Sequence, residues 1–236
     1  MTTPRVERLD GPLHDGRPLC PYPDALARMD ALTARPRDAD DVLLVAEHPP
    51  TITVGRKGGH ALIHGRSLRG RDGTTRAVEV YDVARGGSLT YHGPGQLVIY
   101  PIVQLPALQG PIGRGPLGDL PRLVRELEAA MQASCAEFSL PTVVREGFSG
   151  VWIDDRTKLA SIGLGVRNGW TFHGLALNVE PRLEAFELIT PCALDGVRMT
   201  SMRRELERRG LPVPTYDAVR EHLVAELGRR LRRAIA

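Results

Sequence analysis

Lysine is nearly missing from this chain. Of its 31 basic residues only Lys57 and Lys158 are lysines; the rest are arginines. Arginine holds its proton at any working pH, whereas a lysine can give one up, so each lysine raises the question of its use. Lys57, in GRKGGH, reads as a solvated loop residue. Long apolar runs are missing as well. The largest apolar cluster, around Leu43 to Ala46, stops at His48-Pro49-Pro50, far short of a membrane span. The opening MTTPRVERLDGPLHDGRPL holds nothing that could serve as a signal segment. A cytoplasmic protein with no membrane partner is expected.

Cysteine is scarce too. Cys20, Cys135 and Cys192 show no metal-ligand spacing and cannot build an even disulfide framework, so free thiols and no metal are expected. A net charge of +3 is too mild to mark a nucleic-acid binder. With 42% apolar and 25% charged residues, and no repeat or low-complexity linker, the 236 residues suit one catalytic domain with a real core.

Periodicity supplies the elements. Residues 1–20 show none and read as a loosely ordered arm. Leu26, Met29 and Leu32 mark a helix over Tyr22 to Ala34. DVLLVAE (41–47) and TITV (51–54) read as strands, and AVEVYDV (77–83) as a strand with one solvated face. QLVIYPIV (96–103) is a further strand, which Pro101 restricts to an edge or a bulge. The Gly/Pro-rich stretch Ala107 to Gly118 reads as a surface insert before a helix over Asp119 to Phe138. Strands over Val151 to Asp154, Lys158 to Val166 and Thr171 to Val179 follow, parted by DDR and RNG turns. Helices over Met202 to Arg209 and Tyr216 to Ile235 end the chain. The pattern predicts an α+β fold, with mixed or antiparallel sheets and packed helices.

Three segments break this rhythm. RGGSLTYHGPGQ (85–96) is too rich in glycine for a regular element and crowds Arg85, Ser88, Thr90, Tyr91 and His92 into one loop. It is no Walker loop, since neither GKS nor GKT follows. KLASIGLG (158–165), joined by a turn to FHGLALN (172–178), places a lysine at the start of an apolar strand. There it is either a proton-transfer group or a side chain snorkelling from a strand end. His173 is either a supporting site residue or a hydrogen-bonded core histidine, and His48 a further supporting candidate. TPCALDG (190–196) sets Cys192 in a fixed, exposed turn, whereas Cys135 falls near the apolar face of a helix, where a thiol is inert.

RGGSLTYHGPGQLVIYP, GVWIDDRTKLASIG, FHGLALNV and ITPCALDGV together resemble the signature blocks of the lipoyl(octanoyl) transferases, and LVAEHPPTITVG resembles an upstream block of that family. The resemblance runs from about Tyr22 to the last helix. It implies a fold like that of biotin protein ligases and lipoate ligases. It implies transfer of octanoyl from acyl carrier protein to a lysine of lipoyl domains, those of 2-oxoacid dehydrogenases and the glycine cleavage H protein, without a cofactor. Cys192 would carry the acyl group as a thioester, with Lys158 as its acid/base partner. Substrate contacts would fall on Arg85, Gly86, Gly87, Ser88, Leu89, Thr90, Tyr91 and His92, on Ser161, Ile162 and Gly163, and on Gly174, Leu175 and Ala176. Ala193 departs from the family, which usually has glycine there, and the 107–118 insert is longer than typical.

Leu159, Ile162, Leu164 and Leu175 are candidates to line the acyl slot. Two other readings remain open: an ATP-dependent lipoate ligase, which needs no cysteine, and a non-catalytic acyl-binding module. The arginines at 203, 204, 208 and 209, and at 229, 230, 232 and 233, form either a solvated basic face or a patch that steers an acidic carrier protein.

Overall fold

The structure, a computed structural model, describes residues 3–14, 16–69, 73–105, 120–190 and 196–234, with side chains through Leu231. Cys192, Ala193 and the 107–118 insert lie outside the described residues.

The chain opens with strand β1 (Arg5–Leu9), a short pair β2 (Leu13–His14) and β3 (Arg17–Pro18), and helix α1 (Tyr22–Thr33). Strands β4 (Val42–Ala46), β5 (Thr51–Val54), β6 (Ser67–Arg69), β7 (Thr75–Ala77), β8 (Glu79–Asp82), β9 (Leu89–His92) and β10 (Gln96–Ile102) follow. After helix α2 (Leu120–Glu137) come β11 (Val143–Arg145), β12 (Phe148–Trp152), β13 (Thr157–Arg167) and β14 (Trp170–Asn178). Strand β15 (Arg198–Met199) and helices α3 (Met202–Arg208) and α4 (Tyr216–Ala234) complete it.

Among the described residues, the main sheet runs β1-β4-β10-β14-β13-β12-β11, with β15 on β13. The β1–β4 and β13–β15 pairs are parallel, and the other pairs are antiparallel. A smaller sheet, β8-β5-β9, stands beside it. The VLLVA run of β4 is buried throughout, because helices cover both faces of the main sheet. On one face Leu43, Ile99 and Leu177 pack with Leu127 and Met131 of α2 and Leu223 and Leu227 of α4. On the other, Val42, Leu44, Val98 and Phe172 pack with Ala25, Met29 and Leu32 of α1. Asn168 (φ +53) and Gly169 (φ +80) take the left-handed conformations that a tight turn between β13 and β14 requires. The mixed-sheet α+β expectation therefore holds.

Four local expectations do not. The N-terminal arm is tied down rather than loose: β1 pairs along its whole length with β4, and Leu19 and Cys20 are buried. The 77–83 segment is not one strand, because β7 and β8 belong to different sheets. Val78 sinks into the small sheet's core between them, its N–H on Arg66 O (2.9 Å). Residues 89–92, expected to be irregular, form the fully buried strand β9, paired with β5. Pro101 lies in an inner strand, not at an edge or a bulge. The β10–β14 ladder ends at Ile99–Leu175, and beyond it the Thr171 side chain takes over. Its hydroxyl donates to Pro101 O (2.5 Å) and accepts from Val103 N–H (3.0 Å). The donor that proline lacks is thus never needed.

Candidate functional site

The junction of β10 with β14 divides the main sheet into an N-terminal half and a C-terminal half, and a cavity of about 190 Å³ opens over it. From the first half come Tyr22, the exposed Lys57, Arg85 to Thr90, His92, Val98 and Tyr100. From the second come Gly147 to Ser149, Lys158, Ser161 to Gly163 and His173 to Ala176. Of the substrate contacts that the resemblance implied, all line the cavity except Tyr91. Strand alternation turns Tyr91 into the small sheet's core, edge-on to Phe186 at 5.3 Å. Of the expected acyl-slot residues, Ile162 and Leu175 reach the wall, whereas Leu159 and Leu164 belong to the core beneath α2 and α4.

Arg85 braces the glycine-rich wall. Its Nη2 donates to Thr53 O (2.7 Å) and Thr53 Oγ1 (2.9 Å), and its Nη1 to Gly86 O (2.9 Å). β13 passes so close that a Cβ added at Gly163 would lie 2.9 Å from Arg85 Cδ and 3.0 Å from Gly86 O. Glycine in the K-x-x-S-I-G pattern is there for close approach, not for a turn.

Lys158 is 4% exposed, with its Nζ 4.8 Å from the centroid of the Trp152 ring. Its backbone pairs with Met199 of β15, and its carbonyl accepts from Thr200 N–H (2.9 Å). Glu128 of α2 accepts from Gly150 N–H (2.9 Å), and a Cβ at Gly150 would stand 3.1 Å from Lys158 Cε. Burial raises the Glu128 pKa, while the Gly150 N–H and the charge of Lys158 pull it down. Nothing in the α2 sequence singles Glu128 out, because the helix reads as ordinary packing.

A buried polar ladder crosses the sheet junction. His92 Nδ1 meets Gln96 Oε1 at 2.7 Å, so Nδ1 carries the proton. Gln96 Nε2 donates to Asn178 Oδ1 (2.9 Å), and Asn178 Nδ2 to Thr200 O (3.0 Å). Burial takes the His92 pKa down to about 3. His48 does not reach the wall. Its ring nitrogens sit 2.7 Å from Cys20 O and 2.7 Å from the hydroxyl of Tyr100, which does reach it, and burial lowers its pKa to about 4. Cys135 is buried in the core, as expected, and burial pushes its thiol up to about 12.

Five arginines of the two clusters are paired with carboxylates, and the side chains of Arg232 and Arg233 lie outside the described residues. Arg203 meets Glu180 and Glu207, Arg208 and Arg209 meet Glu205, and Arg229 and Arg230 meet Glu226. Among the described residues, no helix is long and apolar enough to cross a membrane.

The mixed sheet flanked by helices on both faces is a fold shared with solved lipoate protein ligases. The bipartite lipoate protein ligase from Thermoplasma acidophilum superposes with a TM-score of 0.63, over 98% of this chain and 85% of that one, at 14% identity. Residues 21–228 match the family of the lipoyl protein ligase A/B catalytic domain, and the chain belongs to it. Among curated relatives, the octanoyltransferase of Desulfotalea psychrophila is 38% identical over 189 residues, 78% of this chain and 79% of the relative. That of Nitratidesulfovibrio vulgaris is 43% identical over 169 residues, 71% of this chain and 72% of the relative.

Proposed function

We propose that this chain is an octanoyltransferase that takes octanoyl from octanoyl-acyl carrier protein onto Cys192 and passes it to a lysine of lipoyl domains. The acceptors are the lipoyl domains of 2-oxoacid dehydrogenases and the glycine cleavage H protein. The observation that carries the reading is the buried Lys158 at the wall of a narrow cavity. Its strand partner Met199 follows Cys192 by seven residues in the chain.

In the first half-reaction the Cys192 thiol gives its proton to the Lys158 amine, and the thiolate attacks the thioester carbonyl. The new thioester forms as the bond to the carrier sulfur breaks, and the departing thiolate takes its proton from Lys158, which is thereby ready to accept the next one. An ordinary thiol has a pKa of about 8.5, so it is mostly protonated at neutral pH without such help. In the second half-reaction the acceptor's lysine, as a neutral amine, attacks the Cys192 thioester. An amide forms, Cys192 leaves as thiolate, and Lys158 takes the proton from the attacking nitrogen. Thioester exchange is nearly balanced, whereas amide formation runs downhill and draws the sequence forward.

Intact mass after incubation with octanoyl-acyl carrier protein, without ATP, tests the reading. One octanoyl adduct mapping to Cys192 is expected, lost in Cys192→Ser and kept in Cys135→Ala. A fully active Cys192→Ala protein, or transfer that requires ATP, would overturn it in favour of a ligase.

A further inference from the structure

Consecutive side chains of a strand point to opposite faces. Phe172 and His173 do not: their ring centroids lie 4.8 Å apart, on the same face of β14. The cause is the backbone of His173, which adopts the left-handed conformation at φ +56. A non-glycine residue enters that region only at a cost, and such strain collects at functional sites. The twist also aims the His173 N–H at Met29 Sδ (3.2 Å) and sets the imidazole 6.5 Å from the Tyr100 ring, centroid to centroid.

The imidazole so delivered is 2% exposed and forms part of the cavity wall, and its Nδ1 is buried with no hydrogen-bond partner among the described residues. The other two histidines near the site differ. His48 has both ring nitrogens within 2.7 Å of a partner, and His92 meets Gln96 at 2.7 Å and Thr53 Oγ1 at 3.4 Å. A buried polar atom left unpaired beside a cavity, on a residue the backbone has been twisted to present, marks a place where a ligand atom belongs.

Charge decides what kind of atom. Burial brings the His173 pKa down to about 3, and Arg85, Arg167 and Arg56 press it the same way, so the ring is neutral at working pH. The guanidinium field that keeps a proton off the imidazole also repels an ammonium and favours an electron-rich oxygen. A neutral imidazole has one N–H to give to such an oxygen, and being neutral it is no proton carrier.

We infer that His173 is a further substrate-binding residue, whose uncharged imidazole donates a hydrogen bond to the carbonyl oxygen of the acyl thioester in the cavity. The inference rests on the acyl-transfer reading above and adds a contact to it. The bond strengthens as the carbonyl gains negative charge during attack, so its loss lowers kcat as well as kcat/KM.

The test uses the full chain and a ketone analogue of octanoyl-pantetheine in which a methylene replaces the sulfur. In ¹⁵N-labelled protein, the His173 ring signals should stay in the neutral pattern from pH 5.5 to 8 and move when the analogue saturates the protein. Two variants keep the left-handed backbone comfortable. His173→Gly removes the donor and should lower kcat by about 100-fold, while His173→Asn, which retains an N–H donor, should recover part of it. Melting temperatures establish that both are folded. Saturation that leaves the His173 ring signals unmoved, a ring that titrates near its ordinary pH, or wild-type kcat in His173→Gly would overturn the inference alone. An analogue that fails to bind would sink the acyl-transfer reading, and this inference with it.

Discussion

Replacing Gly163 by alanine adds one carbon, and the structure says where it would go. The new Cβ would stand 2.9 Å from Arg85 Cδ and 3.0 Å from Gly86 O. Comfortable contacts fall at about 3.5 Å or beyond, so something must move by about half an ångström. The glycine wall resists. Gly86 N–H is bonded to Leu164 O (2.8 Å), Arg56 N–H to Arg85 O (3.0 Å) and Lys57 N–H to Gly87 O (3.1 Å), while Thr53 grips the guanidinium. Overpacking of this kind costs about 1–3 kcal/mol. For a chain of this length that lowers the melting temperature by about 2–12 °C. Activity should suffer more, because the displaced wall lines the cavity in which the proposed transfer takes place. A misplacement approaching 1 Å costs up to about 100-fold, so kcat/KM should fall by about 10- to 100-fold in a protein that remains folded. The assay pairs thermal unfolding by circular dichroism with octanoyl transfer from the carrier-protein donor. Gly228→Ala is the control: it lies in α4, where the added carbon meets only Thr3 Cγ2 at 3.4 Å, so unchanged activity and equal or higher stability are expected. A Gly163→Ala protein with wild-type melting and wild-type kinetics would refute the claim that close packing shapes this wall.

Lys158→Arg keeps a cation but removes the ability to accept a proton, and transfer should drop by at least about 100-fold. Wild-type turnover in that variant would show that charge alone suffices. Stability should also fall on mild acidification. Burial holds the pKa of His48 at about 4 and those of His92 and His173 at about 3, whereas an unfolded histidine titrates at about 6.5. Folded pKa values are depressed, so the unfolded state binds more protons below about pH 6.5. The stabilisation is complete above that pH and is lost as pH falls toward 4, on the order of 1 kcal/mol per pH unit for each histidine. Urea unfolding at pH 7.5, 6.5 and 5.5 checks the slope, and a flat profile would mean that these rings are not held neutral.

Elements that bury one periodic stripe or one unbroken run were legible in the sequence: α1, α2, α4, β4 and β5 all announce themselves. β1 was not, because RVERL has no alternation of its own and becomes a strand only by lying against β4. β9 was hidden by the glycines around it. The Pro101 error came from applying an edge-strand rule where a threonine hydroxyl had removed the reason for it. Within the candidate site, the motif residues of the glycine wall and of β13 and β14 were readable. Which way each side chain faces was not: Tyr91, Leu159 and Leu164 turn away from the cavity. Residues that act through geometry alone, such as Glu128, Tyr100 and the Gln96–Asn178 pair, carry no signal until three dimensions bring them together.

The junction between β10 and β14 has a consequence for how this site comes into being. Every strand of the main sheet on the β10 side precedes Val103 in the chain, and every strand on the β14 side follows Thr142. The His92–Gln96–Asn178–Thr200 ladder is stitched across that line. Neither half of the polypeptide possesses by itself the whole wall of the cavity or a complete ladder. The cavity is therefore a product of the pairing of the two halves, and its walls stand together only when β14 lies against β10.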